Sequence, residues 1–269
     1  MAEDTARTLV VYHAIGASPS GAASDDLFVD PATFEQEMAF LAGHRQVLPL
    51  AALLNGEFEA GKPAVSITFD DGFRSVLTEA APILERFGFP ATVFVTTRWL
   101  DDPGVRAEDA TERLNDQPLK LLTPRDVQEL AARGFEVGSH GHTHADLGRL
   151  SAAIVEAELR ASADRLGELL GKRPRFLAWP YGSSSTESEA AAAAVGFEAA
   201  FAFNTPTASH YSMSRVPIYR LDGRALFALK TSGRYIALRR SPVVASTYAV
   251  LRPVISRGRE WFPPGRHRT

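Results

Sequence analysis

Two adjacent carboxylates, Asp70 and Asp71, close a β-branched run that ends in Thr68-Phe69, and about seventy positions later come three imidazoles in Ser139-His140-Gly141-His142-Thr143-His144. These are the residue types of a mononuclear metal site. Zinc and similar divalent ions take imidazole nitrogen and carboxylate oxygen, and a catalytic site uses three protein ligands so that water fills the rest. Asp71, His140 and His144 would complete such a set, which leaves Asp70 free to take a proton from water. Like charges side by side are costly in a confined site unless a cation or proton compensates them, and this division of roles meets that demand. His140 and His144 are four apart, a spacing met by one helical turn or by a loop. His142 would share their face in an extended chain and point away in a helical turn.

Something must bring these stretches together. Apolar, β-branched runs at Leu9–Tyr12, Val65–Phe69, Thr92–Thr96, Phe135–Gly138, Phe176–Trp179 and Ala199–Phe203 predict strands, and helical patterns fall between them. Asp30-Pro31 and Thr123-Pro124 are helix-start signals, Ser151 opens a long amphipathic stretch to Gly171, and the alanine-rich run 187–195 stops at Gly196. His13, Asp70, Asp71, His140, His144 and Tyr181 each lie just after a predicted strand. In βα barrels the site gathers at the carboxyl ends of the strands, so distant residues can meet there. A doubly wound sheet would do likewise, but no glycine-rich turn follows Leu9–Tyr12. Trp179-Pro180-Tyr181-Gly182 reads either as an ordinary Pro-Tyr turn or as a stiffened loop that aims a backbone N–H at a developing oxyanion, with its rings as a pocket wall.

With 269 residues, 45% apolar and 23% charged, the chain can bury a barrel-sized core, and a net charge of −3 gives no argument for a nucleic-acid partner. The absence of cysteine excludes disulfides and cysteine-ligated metal. No secretory signal or transmembrane helix is read, so a cytoplasmic location is expected. Residues 1–240 are expected to form one domain, interrupted near 101–120 by a polar insertion that reads as a lid or a solvated loop. Residues 241–269 read as a basic appendage, either a solvated end or a contact for an anionic membrane surface.

The chain resembles the polysaccharide deacetylase family, the NodB-homology fold of carbohydrate esterase family 4. Thr68-Phe69-Asp70-Asp71-Gly72 is similar to its first motif, Ser139-His140 through His144-Ala145-Asp146-Leu147 to its second, and Trp179-Pro180-Tyr181-Gly182 to its third. The resemblance implies a distorted (β/α) barrel and a divalent metal, usually zinc, with cobalt, nickel or iron as alternatives. The implied reaction is hydrolysis of the N-acetyl group of an amino sugar in a polysaccharide, oligosaccharide or glycoconjugate. By position Asp70 matches the base, Asp71, His140 and His144 the metal triad, and Tyr181 the backbone oxyanion donor, while Trp179 and Pro180 would line the substrate pocket. Three departures stand out. Gly141 replaces a serine or threonine, Ala178 replaces the arginine that clamps the base, with Arg215 as a candidate substitute, and the late leucine-histidine motif is missing. His13, after Leu9–Tyr12, would supply that motif from the N-terminus, as in family members resembling a circular permutation, and act as general acid. The same fold could serve a small or lipid-linked amide, as a deformylase or ureide hydrolase, or a silent carbohydrate-binding protein.

Overall fold

Eleven strands are found in the computed structural model, which describes residues 7–17, 25–101, 120–203 and 209–240. They are β1 (Arg7–Tyr12), β2 (Ala14–Ile15), β3 (Phe28–Val29), β4 (Gln46–Val47), β5 (Ala64–Phe69), β6 (Ala91–Val95), β7 (Glu136–Ser139), β8 (Phe176–Ala178), β9 (Ala199–Ala202), β10 (Met213–Ser214) and β11 (Val216–Pro217). The main sheet runs β10-β9-β8-β7-β6-β5-β1-β11, with β4 also against β5, and its pairings are parallel. Its two ends are one stretch of chain. Met213 and Ser214 pair with Phe201 and Ala202 of β9, and after Arg215 alone Val216 and Pro217 pair with Val10 and Val11 of β1. That segment brings the sheet round on itself as a distorted barrel, as expected.

All six predicted strands are present, their bounds moved by a residue or so. The two-residue strands had no legible periodicity. Helices follow the expected signals: Asp30 caps the helix Pro31–His44 by accepting from Ala32 N–H, and Thr123 and Asp126 form a capping box on Pro124–Ala132. Ala152–Leu170 and Thr186–Val195 stop at left-handed Gly171 and Gly196. The polar segment near 101–120, apart from its ends, and the appendage 241–269 with His267 lie outside the described residues. Among the described residues no helix is long and apolar enough to cross a membrane.

Alternation along each strand divides the core. Leu9, Phe94, Phe176, Ala178, Ala199 and Phe201 form one buried cluster that fills the barrel. Their neighbours Val10, Tyr12, Val65, Ile67, Phe69, Val93 and Val95 face the helices. Polar side chains take over where the strands stop, with Asp70 after β5 and His140 after β7.

Candidate active site

At the end of β5 the Asp70 N–H donates to Tyr12 O at 3.0 Å, which ties it to β1, and the chain then turns through Asp71 at φ 70° and Gly72 at φ 78°. This left-handed step sends the adjacent carboxylates to different partners. Among the described residues the non-glycine positions with positive φ are Asp71, His144 and Tyr181, all of them candidate site residues. Backbone strain of this kind persists only where the surroundings hold it, and it concentrates at functional sites.

Asp71 Oδ1 lies 3.3 Å from His140 Nε2 and 3.3 Å from His144 Nε2. The three ligand atoms all fall within 4.8 Å of one another. Two donors bound at about 2.1 Å to one tetrahedral ion stand about 3.4 Å apart, so the spacing suits a shared ion. Protonation argues the same way. His140 Nδ1 is 2.8 Å from Ala178 O, which can only accept, so Nδ1 carries the hydrogen. In the neutral ring the Nε2 lone pair then faces a carboxylate oxygen, a repulsion that a cation between them removes. The donor set fits a divalent ion.

The histidine loop is held from several sides. Thr143 donates its N–H to Glu158 Oε2 at 2.9 Å and its hydroxyl to Oε1 at 3.0 Å. Gly141 N–H donates to Ser139 Oγ at 3.1 Å, and Ser139 also bonds Ser162 at 2.7 Å, so a hydroxyl serves this loop although residue 141 lacks one. His144 sits between the rings of Trp99, at 4.9 Å, and Tyr181, at 4.8 Å. His142 is directed elsewhere, with Nδ1 2.9 Å from Thr97 Oγ1, and is outside the three-ligand group.

Asp70 is clamped by Arg215, the residue between β10 and β11, through two bonds of 2.7 Å to its two carboxylate oxygens. The arginine side chain is fully buried, with its guanidinium 5.5 Å from the Phe94 ring centre and 5.0 Å from that of Phe203. Gly182, at φ 64°, makes room for this stack, because a Cβ there would stand 2.2 Å from the Phe203 ring. Arg215 thus makes a two-bond contact with Asp70 for which Ala178 has no side chain.

Charges set the protonation states. Burial would raise the Asp71 carboxyl, but the rings that face it, His140, His144 and His13, when protonated and with no ion between them, hold it well below the usual carboxylate range. Asp70 is pulled up by burial and down more strongly by Arg215 and His140, and stays low. His13 follows β1 directly, close enough to Asp71, Asp70, Arg215 and His140 for each to act on it. Burial lowers its pKa, and the two aspartates only partly restore it.

Pro180, Tyr181 and Gly182 form a tight turn after β8, with Tyr181 at φ 58° and 38% exposed beside His144. Trp179 departs from expectation. Its side chain is wholly buried against Leu147, Leu177 and Ala200, and its indole N–H donates to Tyr211 O at 2.7 Å. The apolar face of so large a ring is satisfied in the core, which leaves Tyr181 as the exposed aromatic at the site. Pro180 is buried too, near Gly141. His44 and His210 are exposed. Sequence reasoning missed Glu158 and Trp99, which lie within helices, and the Ala178 carbonyl, a backbone group that no side-chain pattern marks.

The chain is similar to known proteins. The family described as polysaccharide deacetylase matches residues 58–200. A putative polysaccharide deacetylase, YxkH, of Bacillus subtilis (strain 168) is 23% identical over 218 residues, covering 78% of this chain and 70% of that protein. The poly-beta-1,6-N-acetyl-D-glucosamine N-deacetylase of Escherichia coli (strain K12) is 24% identical over 229 residues, 72% of this chain but only 34% of that protein. Among solved structures, the Streptococcus pyogenes deacetylase PplD in complex with acetate superposes with a TM-score of 0.69 at 24% identity, over 83% of this chain and 97% of that one. IcaB from Ammonifex degensii gives 0.65 at 20% identity, over 84% and 97%.

Proposed function

The chain belongs to the polysaccharide deacetylase family, and on that premise we propose that it hydrolyses the N-acetyl group of an amino sugar within a polysaccharide or oligosaccharide. The single observation that carries this reading is the convergence of Asp71, His140 and His144 beside a separate, clamped carboxylate. Asp71, His140 and His144 would hold the ion, for which zinc is the first candidate, its ligand preferences being nitrogen and carboxylate oxygen. When bound, the ion supplies Lewis acidity, drawing charge from an acyl carbonyl and making water acidic enough to give up a proton near neutral pH.

Asp70 is the base. Arg215 takes one lone pair from each of its oxygens and leaves others to receive a proton from water. The arginine keeps Asp70 ionised and oriented, but also makes it a weak base, so it needs an acidified water. As the water oxygen bonds to the acyl carbon, the carbonyl electrons move onto its oxygen, where the Tyr181 backbone N–H donates a hydrogen bond. His13 gives a proton to the sugar nitrogen, the C–N bond breaks, and acetate and the free amine leave. An unprotonated amine is a very poor leaving group, and burial lowers the His13 pKa, which makes its imidazolium a stronger acid but the minor form near neutral pH. Tyr181, with its exposed ring at the rim, is suited to contact the sugar.

The replacement of the missing arginine by Arg215 also weighs against a silent binding protein. Residues 1–240 form the proposed catalytic unit. Acetate release from N-acetylglucosamine oligomers, measured with added zinc or cobalt, tests the reading. Turnover that Asp70→Asn abolishes is expected, and no release from any oligomer or polymer of N-acetylated sugar with any divalent ion would overturn it.

A further inference from the structure

The two imidazoles of the triad are held in different ways. His140 Nδ1 is fixed by Ala178 O, which turns its Nε2 toward Asp71. His144 Nδ1 is buried and has no hydrogen-bond partner among the described residues. A metal-binding histidine ordinarily donates its second ring N–H to a carbonyl or carboxylate, which fixes both the tautomer and the ring plane. Something else must set the plane of His144. Its backbone adds to the demand, since at φ 64° a non-glycine residue stays only where its surroundings hold it.

Two rings flank that imidazole. Tyr181 meets it edge-on and stands half in solvent, whereas Trp99, tilted 33° from it at 4.9 Å, is 5% exposed. The tryptophan is the fixed wall. Its short helix, Thr97–Asp101, is tied to the histidine loop: Thr97 N–H donates to Gly141 O at 3.2 Å and Arg98 N–H to His142 O at 3.0 Å. Thr97 Oγ1 also meets the His142 ring. At the other end Leu100 enters the core, and Asp101 pairs with Arg165 of the helix Ala152–Leu170. Trp99 itself is in neither the apolar cluster of Leu100 nor that of Trp179. Its buried ring is turned to the histidine.

We propose that Trp99 is the positioning residue for His144, its flat indole fixing the ring plane of that ligand as the Ala178 carbonyl fixes His140. The inference rests on the reading of Asp71, His140 and His144 as metal ligands. The same contacts account for His142, which fastens the tryptophan's helix to the loop through Thr97 and holds no ion. An imidazole free to turn about its Cβ–Cγ bond has to be ordered by the ion at the moment of binding, whereas a walled one is ordered beforehand. The wall therefore shows in metal affinity and coordination geometry.

Cobalt titration of the metal-free full chain, followed by visible absorption and by competition with a chelator, tests this without a deacetylase assay, and circular dichroism reports the fold. Trp99→Leu keeps apolar bulk but removes the flat ring, and Trp99→Phe restores one. The leucine variant should stay folded, bind cobalt about 10- to 100-fold more weakly and show an altered absorption band. The phenylalanine variant should recover most of the affinity. Wild-type affinity and spectrum in Trp99→Leu, or equal losses in both variants, would overturn this inference alone. A wild type that takes up no cobalt would overturn the metal site along with it.

Discussion

Two buried ion pairs lie at the two ends of β11. Asp70 and Arg215 have side chains 1% and 0% exposed, and Asp222 and Lys230 are 7% and 3% exposed. Both are anchored to the same strand, since Arg215 immediately precedes β11 and Lys230 donates to Pro217 O within it at 2.7 Å. The second pair is used up locally: Asp222 Oδ2 accepts from both Lys230 and Tyr219 N–H, and the lysine is spanned by the Tyr219 and Tyr235 rings. Beside the first pair, Asp71, His140 and His144 turn three ligand atoms on one point. A buried charge therefore does not mark a site by itself, and lone pairs that converge without protons to face them do.

Perturbing the two pairs should separate chemistry from stability. Asp70→Asn should retain metal and fold and lose about 10³-fold in kcat, read by acetate release. Lys230→Met, which strands Asp222, should cost roughly 3–5 kcal/mol in denaturant unfolding with kcat little changed. Arg215→Gln should lower kcat by roughly 10- to 100-fold with metal retained, because it loosens the base without removing it. A Lys230 variant that lost activity while stable, or an Arg215 variant with full activity, would erase the contrast.

The smallest effect belongs to Glu37, behind the second pair. Burial pushes its carboxyl up to about 8, while Tyr12 O–H donates to Oε2 at 2.8 Å. The folded state thus binds a proton that the unfolded chain releases near 4.5, so the associated stability is full below that pH and is lost as pH rises toward 8. Glu37→Gln should flatten this slope. Between pH 5 and 8.5 the wild-type thermal midpoint should fall a few degrees further than that of the variant.

The barrel was legible because its six principal strands are apolar runs with helix caps between them, and Asp70, Asp71, His140 and His144 because each follows such a run. Arg215 was legible only as a candidate. It stands between two half-strands too short to show a period, and its partner lies 145 positions away. Glu158 supports the histidine loop from mid-helix, where a glutamate is commonplace. Trp179 misled for another reason. A tryptophan beside a site motif suits a pocket wall or a core equally, and its N–H found a carbonyl in the core.

The central claim is that Asp71, His140 and His144 hold one ion while Asp70 holds none. Metal content of the purified chain after zinc loading and desalting tests it most directly. One ion per chain in the wild type and in Asp70→Asn, with loss in Asp71→Ala and His144→Ala, is the predicted result. Retention of the ion in folded Asp71→Ala and His144→Ala, or its loss in Asp70→Asn, would contradict it.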